Sequence, residues 1–568
     1  MISQPAIFHH RHFPLLILLV LLITFLAYSN IFHNEFIGDD FDFIARWSTT
    51  RSLTGIPKLI AGDLPEVHLG TYRPVRSLFY LAAYQFWGTN PVAYHAFSLG
   101  VHLLATLLVI LVVDKLTRVR PAGLAAGLLF GLHPIHTEAV TFVSASFDTT
   151  SAVFFLASFY FYLVALSPQT RPKNLLASFI FAALAFFTNE QTIVLPALLL
   201  AHHLIFAKGK TKSFANFLLP FFGLAGLYLF IRFGLLNITS RGADQLPGFG
   251  STILVGLKAL LKYLELLLAP VGLSISHTLW GNISTYTYPE LNYQALIAQS
   301  LLSPPVLLAT AFLIASALFI YRSRRRHPLP VFALAWFFIT LLPVLNFFPA
   351  SLIFAERYAY LPSAGFILLL ITTIIILVST SAVMKGSEPF MVRRRPFNSV
   401  LLLLLIATSA LYFYQTYRRN QDWHDEITFW QATAATDAGN PTVYYQLAKV
   451  YQVRLQLPEA IASYRHTIAL YPNFPPVYLN LGMIAEYQGD LDPAVGYYQQ
   501  ALELDSGSAT IRRSLATAHT HQADRHAQQN QLKQAAALYA QATSVDPTFV
   551  EARLKRQDLC GQFPQVCN

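Results

Sequence analysis

Eleven apolar segments that are candidate membrane spans fill the chain before residue 417, and they constrain its fold more than any other feature. A helix needs roughly 20 apolar residues to cross the hydrocarbon core of a bilayer. The segments are Phe13–Asn30, Val92–Asp114, Pro121–Leu132, Thr149–Leu166, Leu175–Phe187, Thr192–Ala207, Phe214–Arg232, Leu301–Tyr321, Leu329–Phe348, Tyr360–Val378 and Ser399–Phe413. Only 12% of all residues are charged, about half the share in an ordinary soluble domain. The sequence therefore predicts an all-α, polytopic membrane domain over residues 1–416, whose first segment is an uncleaved anchor.

Lysine and arginine residues gather in alternate connections between these segments. The clusters are Arg11; Lys115, Arg118, Arg120; Arg171, Lys173; Lys208, Lys210, Lys212; Arg322, Arg324, Arg325, Arg326; and Lys385, Arg393, Arg394, Arg395. Because short cytoplasmic loops are enriched in these residues, the pattern places the N terminus in the cytoplasm and the C-terminal part outside. The alternation holds when the apolar stretch Thr252–Leu273, which carries Lys258 and Lys262, is re-entrant or interfacial. The net charge of +10 is then explained by membrane topology rather than by nucleic-acid binding.

Beyond residue 417 the sequence repeats with a period of 34 residues, which is the mark of the tetratricopeptide repeat (TPR). Copies are predicted near 441–474, 475–508 and 509–550, with a half-repeat near 425–438. A seven-residue insertion delays the second helix of the third copy. Such arrays pack small and aromatic residues between paired helices and form concave surfaces that hold peptides or proteins. We expect a TPR α-solenoid over residues 417–568.

Four polar motifs that lie far apart in the sequence all fall at the predicted external face. They are Glu35–Asp42, which contains an acidic pair, His133–Glu138, Asn189–Gln191 and Glu356–Tyr358. Ionisable groups at membrane depth are energetically costly and mark functional sites by default, so their convergence predicts an active site. A solvated loop is the alternative for the first motif taken alone, and helix capping at the interface is the alternative for the third.

Taken together, the motifs resemble those of one family, the transmembrane and TPR-containing protein O-mannosyltransferases and their bacterial relatives, which have the GT-C glycosyltransferase fold. The resemblance covers nearly the whole chain, and it rests on the acidic pair Asp39-Asp40 in the first external loop (31–91), the His-Pro-Ile-His-Thr-Glu-Ala stretch from His133, the Asn189-Glu190 element, Glu356-Arg357-Tyr358 before a late span, and the trailing repeats. One departure is Asn189, where the family commonly has a lysine before the glutamate. This puts a phosphate contact at that position in doubt.

The resemblance implies a membrane glycosyltransferase that uses a polyprenyl-phosphate-linked sugar, mannose by analogy with the family, and an external acceptor. The repeats would hold a protein whose Ser or Thr hydroxyl is that acceptor. Because a hydroxyl is a poor nucleophile, displacing phosphate from an anomeric carbon needs a base for the acceptor's proton. Asp39 matches the family's catalytic acid position and is the predicted base, and Asp40 is predicted to orient the acceptor or Asp39. Direct displacement would invert the anomeric centre.

Cationic groups are also needed over the departing phosphate. Arg357 is the first choice for this contact and Arg73 the second, because arginine binds phosphate through a planar fork. For Arg357 the alternative is a structural ion pair with Glu356 or another carboxylate. His133 and His136 are further candidates as donors to the phosphate or the sugar.

The same two histidines, together with Glu138, have a spacing that suits a set of metal ligands. Pro134 lies between them and disfavours a helical pair, so neither a metal nor another cofactor is predicted. The carboxylates predicted to position the reacting groups are Glu138, Glu190 and Glu356.

Two other functions fit parts of the sequence. The first is a non-catalytic membrane anchor that presents the repeats to envelope or secretory partners, and the second is a transporter or flippase. A transporter would carry charges near mid-bilayer in both halves and internal symmetry of its spans, and the sequence shows neither. The membrane is either a bacterial plasma membrane or the endoplasmic reticulum with lumenal repeats, and the compact length favours the bacterial case. In an oxidising compartment, Cys560 and Cys567 would be able to form a terminal disulfide.

Overall fold

The chain divides into two compact units, which comprise residues 1–432 and 433–568. The computed structural model describes residues 12–62, 71–167, 171–206, 212–238, 249–279, 283–286, 300–345, 353–383 and 399–566. Residues named above that lie outside these ranges are Arg11, Ala207, Lys208, Lys210, Phe348, Lys385, Arg393, Arg394, Arg395 and Cys567. The division falls later than the predicted 416, because Asn420, Trp423 and Trp430 contact side chains and backbone of the first unit.

The described part of the first unit is built almost entirely of helices. Its α-helices are α1 (Phe13–Tyr28), α2 (Ile56–Ala61), α3 (Pro74–Trp87), α4 (Pro91–Thr117), α5 (Arg120–Leu132), α6 (Thr137–Thr141), α7 (Val143–Ala165), α8 (Arg171–Thr188), α9 (Leu195–Phe206), α10 (Lys212–Leu229), α11 (Phe249–Leu268), α12 (Pro304–Ser323), α13 (Pro328–Leu341), α14 (Tyr360–Val383) and α15 (Ser399–Gln421). After α11, the short strands β1 (Thr278–Leu279) and β2 (Ile283–Ser284) pair in antiparallel fashion. Several helices carry proline in their first turn, where its missing N–H is not needed.

Seven of the described helices are long and apolar enough to cross a membrane. They are Phe13–His33, Pro91–Thr117, Val143–Ala165, Phe217–Leu235, Pro304–Ser323, Glu356–Val378 and Ser399–Gln421. Three shorter apolar helices, Arg120–Leu132, Glu190–Phe206 and Pro328–Val344, coincide with further predicted segments. The predicted segment at 175–187 lies within α8, and the stretch predicted as re-entrant or interfacial lies largely within α11; neither is among the seven. The prediction of a multi-pass, all-α membrane domain is confirmed.

Small residues let α4 and α5 pack closely. A Cβ atom at Gly123 would lie 2.7 Å from the carbonyl oxygen of Ile110, so only glycine fits at that crossing. Lipid provides no hydrophobic drive for helices to associate, and close packing of this kind takes its place. α7 packs against α4 as well, and Phe130, Phe155 and Phe159 fill the core beside these helices. This central group holds the end of α5, which the His133–Glu138 motif follows, and the N-terminal end of α7.

The second unit is an array of paired helices. α16 (Glu426–Thr436) leads into it, and the pairs are α17 (Pro441–Val453) with α18 (Leu457–Leu470), α19 (Pro475–Gln488) with α20 (Leu491–Leu504), and α21 (Ala509–Gln528) with α22 (Leu532–Val545), followed by α23 (Val550–Gln562). This succession of helix pairs confirms the predicted TPR α-solenoid.

A tyrosine on the second helix of each repeat marks the period in the structure. Tyr464 donates its hydroxyl proton to Gln452 Oε1 at 2.7 Å, and Tyr498 donates to Glu486 Oε2 at 2.8 Å. Tyr539 holds the equivalent position in the third repeat. The predicted insertion lengthens α21 to 20 residues, against 14 in α19. It therefore extends a helix instead of adding a loop.

Candidate active site

The segment that follows α1 places its two adjacent acids in different surroundings. Gly38 has a φ of +52°, a left-handed conformation that glycine adopts without strain, and the chain turns there into the acidic pair. Asp39 is exposed, whereas only 1% of the surface of Asp40 is exposed. The two carboxylates therefore do not share one task.

Asp40 is held by the start of α7. Its Oδ1 accepts the main-chain N–H of Ser144 at 2.6 Å and the Ser144 hydroxyl at 2.5 Å, and its Oδ2 accepts the N–H of Ile37 at 3.3 Å. Burial raises the pKa of Asp40 to about 7, although the hydrogen bonds from Ser144 act in the opposite direction. Of the two roles predicted for Asp40, orienting Asp39 fits this geometry better than contact with an acceptor, because the carboxylate is buried and bonded on both oxygens.

Asp39 presents its carboxylate close to positive charge. Desolvation by the surrounding protein raises the pKa of Asp39, and the charges of Arg357 and Arg76 limit that rise. A carboxylate whose pKa is raised is a stronger base once it is ionised. Asp39 is thus an accessible carboxylate within electrostatic reach of Arg357 and Arg76.

Arg73 lies at the centre of an ion-pair network formed at the ends of α3, α7 and α8. Its Nε and Nη2 donate to Glu190 at 2.6 and 2.9 Å, and its Nη1 donates to Asp148 at 3.2 Å. Asn189 donates to the same Asp148 oxygen at 2.6 Å, and its own Oδ1 accepts the N–H of Gln191 at 3.0 Å. The Asn189-Glu190 motif therefore caps a helix, as one reading predicted, and also joins the network.

Arg357 is neutralised in the same way by Glu138. Its Nη1 donates to Glu138 Oε1, and its main-chain N–H donates to Glu138 Oε2 at 2.9 Å. Arg357 Nε also lies 3.8 Å from Asp148 Oδ2. For Arg357 the structure thus shows an ion pair with carboxylates other than Glu356.

Asp148 joins the two arginines, and no motif predicted it as a site residue. It lies one position before the apolar segment that starts at Thr149, and a carboxylate at the edge of a span was the one signal available. The ion-pair network sets three guanidinium groups against three carboxylates, namely Arg73, Arg232 and Arg357 against Glu138, Asp148 and Glu190. Its charges balance within the protein.

The two predicted histidines do not offer free donors. His133 Nδ1 accepts the N–H of Ile135 and its Nε2 lies 3.2 Å from the carbonyl oxygen of Leu267. His136 bonds the carbonyl oxygen of Phe130 and the hydroxyl of Ser363, both at 2.9 Å. Because all four ring nitrogens are engaged in a buried site, a phosphate contact from either histidine does not fit the structure. Within the described ranges, no group of three metal-ligating side chains is arranged to hold a metal ion.

Glu356 anchors the segment before the β1–β2 pair. Its Oε1 accepts the main-chain N–H of Ser274 at 2.6 Å and lies 2.8 Å from His277 Nε2. Sequence reasoning identified neither of these two residues, which carry no motif. Glu356 therefore holds the segment around Ser274 and His277, and it does not hold Arg357.

A pocket opens beside the ion-pair network. Asp148 and Arg357 form its charged side, Gln191 and Tyr358 are further polar residues of its lining, and Leu361 contributes apolar surface. Binding sites for small molecules commonly combine an apolar wall with a few placed polar groups. The pocket has the make-up expected for a ligand with both polar and apolar parts.

The Asp39 segment is braced by residues near the start of α16. The N–H of Glu35 donates to the carbonyl oxygen of His424 at 2.8 Å, and the N–H of Gly38 donates to Glu426 Oε1 at 3.2 Å. Asn420 donates to the carbonyl oxygen of Ala27 at 3.0 Å. We call residues 420–426 the bracing segment. It fixes the backbone that leads into Asp39, up to and including the turn at Gly38.

Comparison with known proteins gives matches to both parts of the chain. The tetratricopeptide repeat family matches residues 475–508. Protein O-mannosyl-transferase TMTC3 of Mus musculus is 24% identical over 507 residues, which cover 80% of this chain and 51% of the relative. Protein O-mannosyl-transferase TMTC1 of Homo sapiens is 27% identical over 452 residues, which cover 71% of this chain and 48% of the relative. The chain spans about half the length of these curated relatives.

A solved structure also aligns with most of the chain. It is the crystal structure of ArnT from Cupriavidus metallidurans bound to undecaprenyl phosphate, with a TM-score of 0.35 and 14% identity over 77% of this chain and 80% of that chain. A TM-score at this level carries no argument about the site. The sequence matches, which extend over most of the chain, confirm the resemblance predicted from the motifs: the chain is a relative of the TPR-containing protein O-mannosyl-transferases.

Proposed function

We propose that the protein is a membrane glycosyltransferase that moves a sugar from a polyprenyl-phosphate donor to a hydroxyl group of an extracytoplasmic acceptor. The observation that carries this proposal is the exposed Asp39, turned out beside a buried Asp40 and within electrostatic reach of Arg357. A base next to concentrated positive charge is what glycosyl transfer from a phosphate needs. Mannose as the sugar and a protein Ser or Thr as the acceptor are supported by the names of the relatives.

In the proposed reaction, Asp39 accepts the proton of the acceptor hydroxyl while the hydroxyl oxygen attacks the anomeric carbon. The bond between that carbon and the phosphate oxygen breaks, the electron pair leaves with the polyprenyl phosphate, and the anomeric centre inverts. Arg357 and Arg73 would stabilise the leaving phosphate by exchanging part of their contacts with carboxylates for contacts with it. Glu138 and Glu190 hold these two arginines in place.

The second unit would bind the acceptor protein, because TPR arrays hold peptides and proteins on their concave surfaces. The membrane in this proposal is a bacterial plasma membrane, with the N terminus in the cytoplasm and the repeats outside. The positive-inside pattern of Lys and Arg supports that orientation.

Replacing Asp39 by Asn tests the proposal most directly. Loss of a general base lowers turnover by roughly 10²- to 10⁴-fold, so membranes that contain Asp39→Asn should transfer almost no labelled mannose from a polyprenyl-phosphate donor. The assay measures label incorporated into protein per unit time at saturating donor.

Asp42→Asn is the matched control, because Asp42 lies three residues on and forms an exposed ion pair with Arg46. It should retain activity within about twofold, as expected for an exposed pair of small energetic weight. Unchanged transfer by the Asp39 variant would show that this carboxylate is not the base.

A further inference from the structure

One arginine near the site has no hydrogen-bond or ion-pair partner among the residues that the structure describes. Arg76 forms no hydrogen bond or ion pair with any described residue, its Nε is buried without an acceptor, and only 7% of its surface is exposed. Moving a guanidinium group out of water without a counterion is strongly unfavourable. A buried, unpaired arginine beside an active site therefore indicates a ligand that supplies the missing negative charge.

The other arginines are in the opposite situation. Arg73 uses Nε, Nη1 and Nη2 for Glu190 and Asp148, and Arg357 is bonded to Glu138 through Nη1 and through its main-chain N–H. An incoming phosphate would have to compete with these carboxylates. Binding of a phosphate to Arg76 does not require the displacement of a carboxylate.

Arg76 also lies beside the Asp39 segment. It follows Arg73 by three positions on α3, and its guanidinium carbon lies 5.1 Å from the centre of the Phe43 ring, which belongs to the short helix after Asp40. The Phe43 ring stacks on Tyr80, with 5.1 Å between the ring centres. The planar guanidinium group matches the geometry of phosphate oxygens. The position thus combines free donors with closeness to the proposed base.

We propose that Arg76 binds the phosphoryl anion of the lipid-linked substrate and of the lipid phosphate released after transfer. This inference rests on the proposed function and deepens it. Burial and the charge of Arg73 both lower the pKa of Arg76, and a bound anion would act against both effects. Arg73 and Arg357 then shape the surrounding network, while Arg76 contacts the phosphate.

Binding of a polyprenyl phosphate to the full-length protein in detergent tests the inference without an activity assay. The ligands are polyprenyl phosphate, the polyprenol of the same length, and inorganic phosphate, and the readout is the ligand-induced shift in thermal midpoint, titrated to give an affinity. The unaltered protein should bind the lipid phosphate at least about tenfold more tightly than the alcohol, since charge-assisted hydrogen bonds are worth that much. Arg76→Gln should lose this preference, and Arg76→Lys should keep part of it.

Arg46→Gln is the matched control, because Arg46 is an exposed arginine on the same acidic segment. It should bind the lipid phosphate as the unaltered protein does. Arg76→Gln should fold, because the removal of Arg76 leaves no carboxylate unpaired. If the thermal midpoint of Arg76→Gln without ligand falls sharply, Arg76→Lys is used for the test instead, and its preference for the phosphate should be reduced.

The possible failures are distinguishable. A full preference for the phosphate in Arg76→Gln or an undiminished one in Arg76→Lys would overturn the role of Arg76 and leave the proposed function standing. Equal binding of phosphate and alcohol by the unaltered protein would contradict the proposed function itself. Stabilisation by inorganic phosphate but not by the lipid phosphate would show that the anion is free phosphate and overturn the lipid assignment.

Discussion

The two units of the chain use charged side chains in opposite ways. In the first unit, Arg73 pairs with Glu190, and these two side chains are 14% and 23% exposed. In the repeat unit, Arg513 of α21 pairs with Asp546, which follows α22 of the same helix pair, and these two side chains are 50% and 9% exposed. Breaking a buried pair leaves an uncompensated charge, whereas an exposed pair contributes little. The comparison indicates that Arg73, enclosed by protein and bonded to two carboxylates, contributes more to stability than Arg513, which lies half in solvent.

The largest effect is expected when two single variants, Arg73→Gln and Arg513→Gln, are compared. Arg73→Gln leaves Glu190 and Asp148 without their main counterion, and we expect it to reduce the free energy of unfolding by about 3 to 5 kcal/mol. Arg513 lies half in solvent and Asp546 keeps its hydrogen bonds from Thr548, so Arg513→Gln should reduce this free energy by about 1 kcal/mol or less. Thermal unfolding of the purified protein in detergent gives both values, provided the transitions of the two units are separated.

The double change Arg73→Gln with Glu190→Gln is the control. It removes both charges of the pair, so part of the lost stability should return. Equal effects of the two single changes would remove the distinction between the units.

A second prediction concerns the first unit alone, where the titration of Asp40 should make stability depend on pH. Its pKa is raised from 3.8 to about 7 in the folded protein, so the folded state binds this proton more tightly than the unfolded chain does. The stabilisation is fully present below about pH 4 and is lost as the pH rises to about 7. Across that pH range the free energy of unfolding should change by on the order of 2 to 4 kcal/mol, and we expect Asp40→Asn to abolish this change.

The measurement is the thermal midpoint of the first unit at a series of pH values. Asp42→Asn, which alters an exposed carboxylate, should retain the pH dependence of the unaltered protein. A persistent dependence in Asp40→Asn would assign it to another group.

The smallest expected effect lies in the repeat unit. Tyr498→Phe removes the hydroxyl that donates to Glu486 and leaves the ring in place. Its loss should reduce the stability of the repeat unit by about 1 kcal/mol. Tyr464→Phe serves as a parallel measurement at the equivalent position, and an effect as large as that of Arg73→Gln at either tyrosine would contradict the contrast between the units.

The repeat unit was predictable because its interactions are local. Tyr464 and its acceptor Gln452 lie 12 residues apart, and Tyr498 and Glu486 have the same separation. A periodic sequence therefore contains both partners of each contact. The membrane helices were predictable for a similar reason, since hydropathy is a property of each segment alone.

The candidate site could be predicted only in part. Arg73 and Glu190 were predicted, but their pairing joins residues 117 positions apart, and no local pattern contains it. Asp148 and Ser144 carry no motif and gain their roles from the helices that meet there. The histidines show the converse: the His-Pro-Ile-His pattern suggested phosphate contacts, yet packing engages every ring nitrogen of His133 and His136.

The bracing segment makes the repeats something other than a detachable module. A chain cut after residue 416, where hydropathy alone ends the membrane domain, would lose the groups that receive the N–H bonds of Glu35 and Gly38. The helix that begins with Glu426 extends to Thr436, beyond the last residue of the first unit. The helix whose first residue bonds the backbone next to Asp39 is therefore also the first helix of the repeat array. A truncation that is meant to keep the surroundings of Asp39 intact therefore has to retain the first helix of the array.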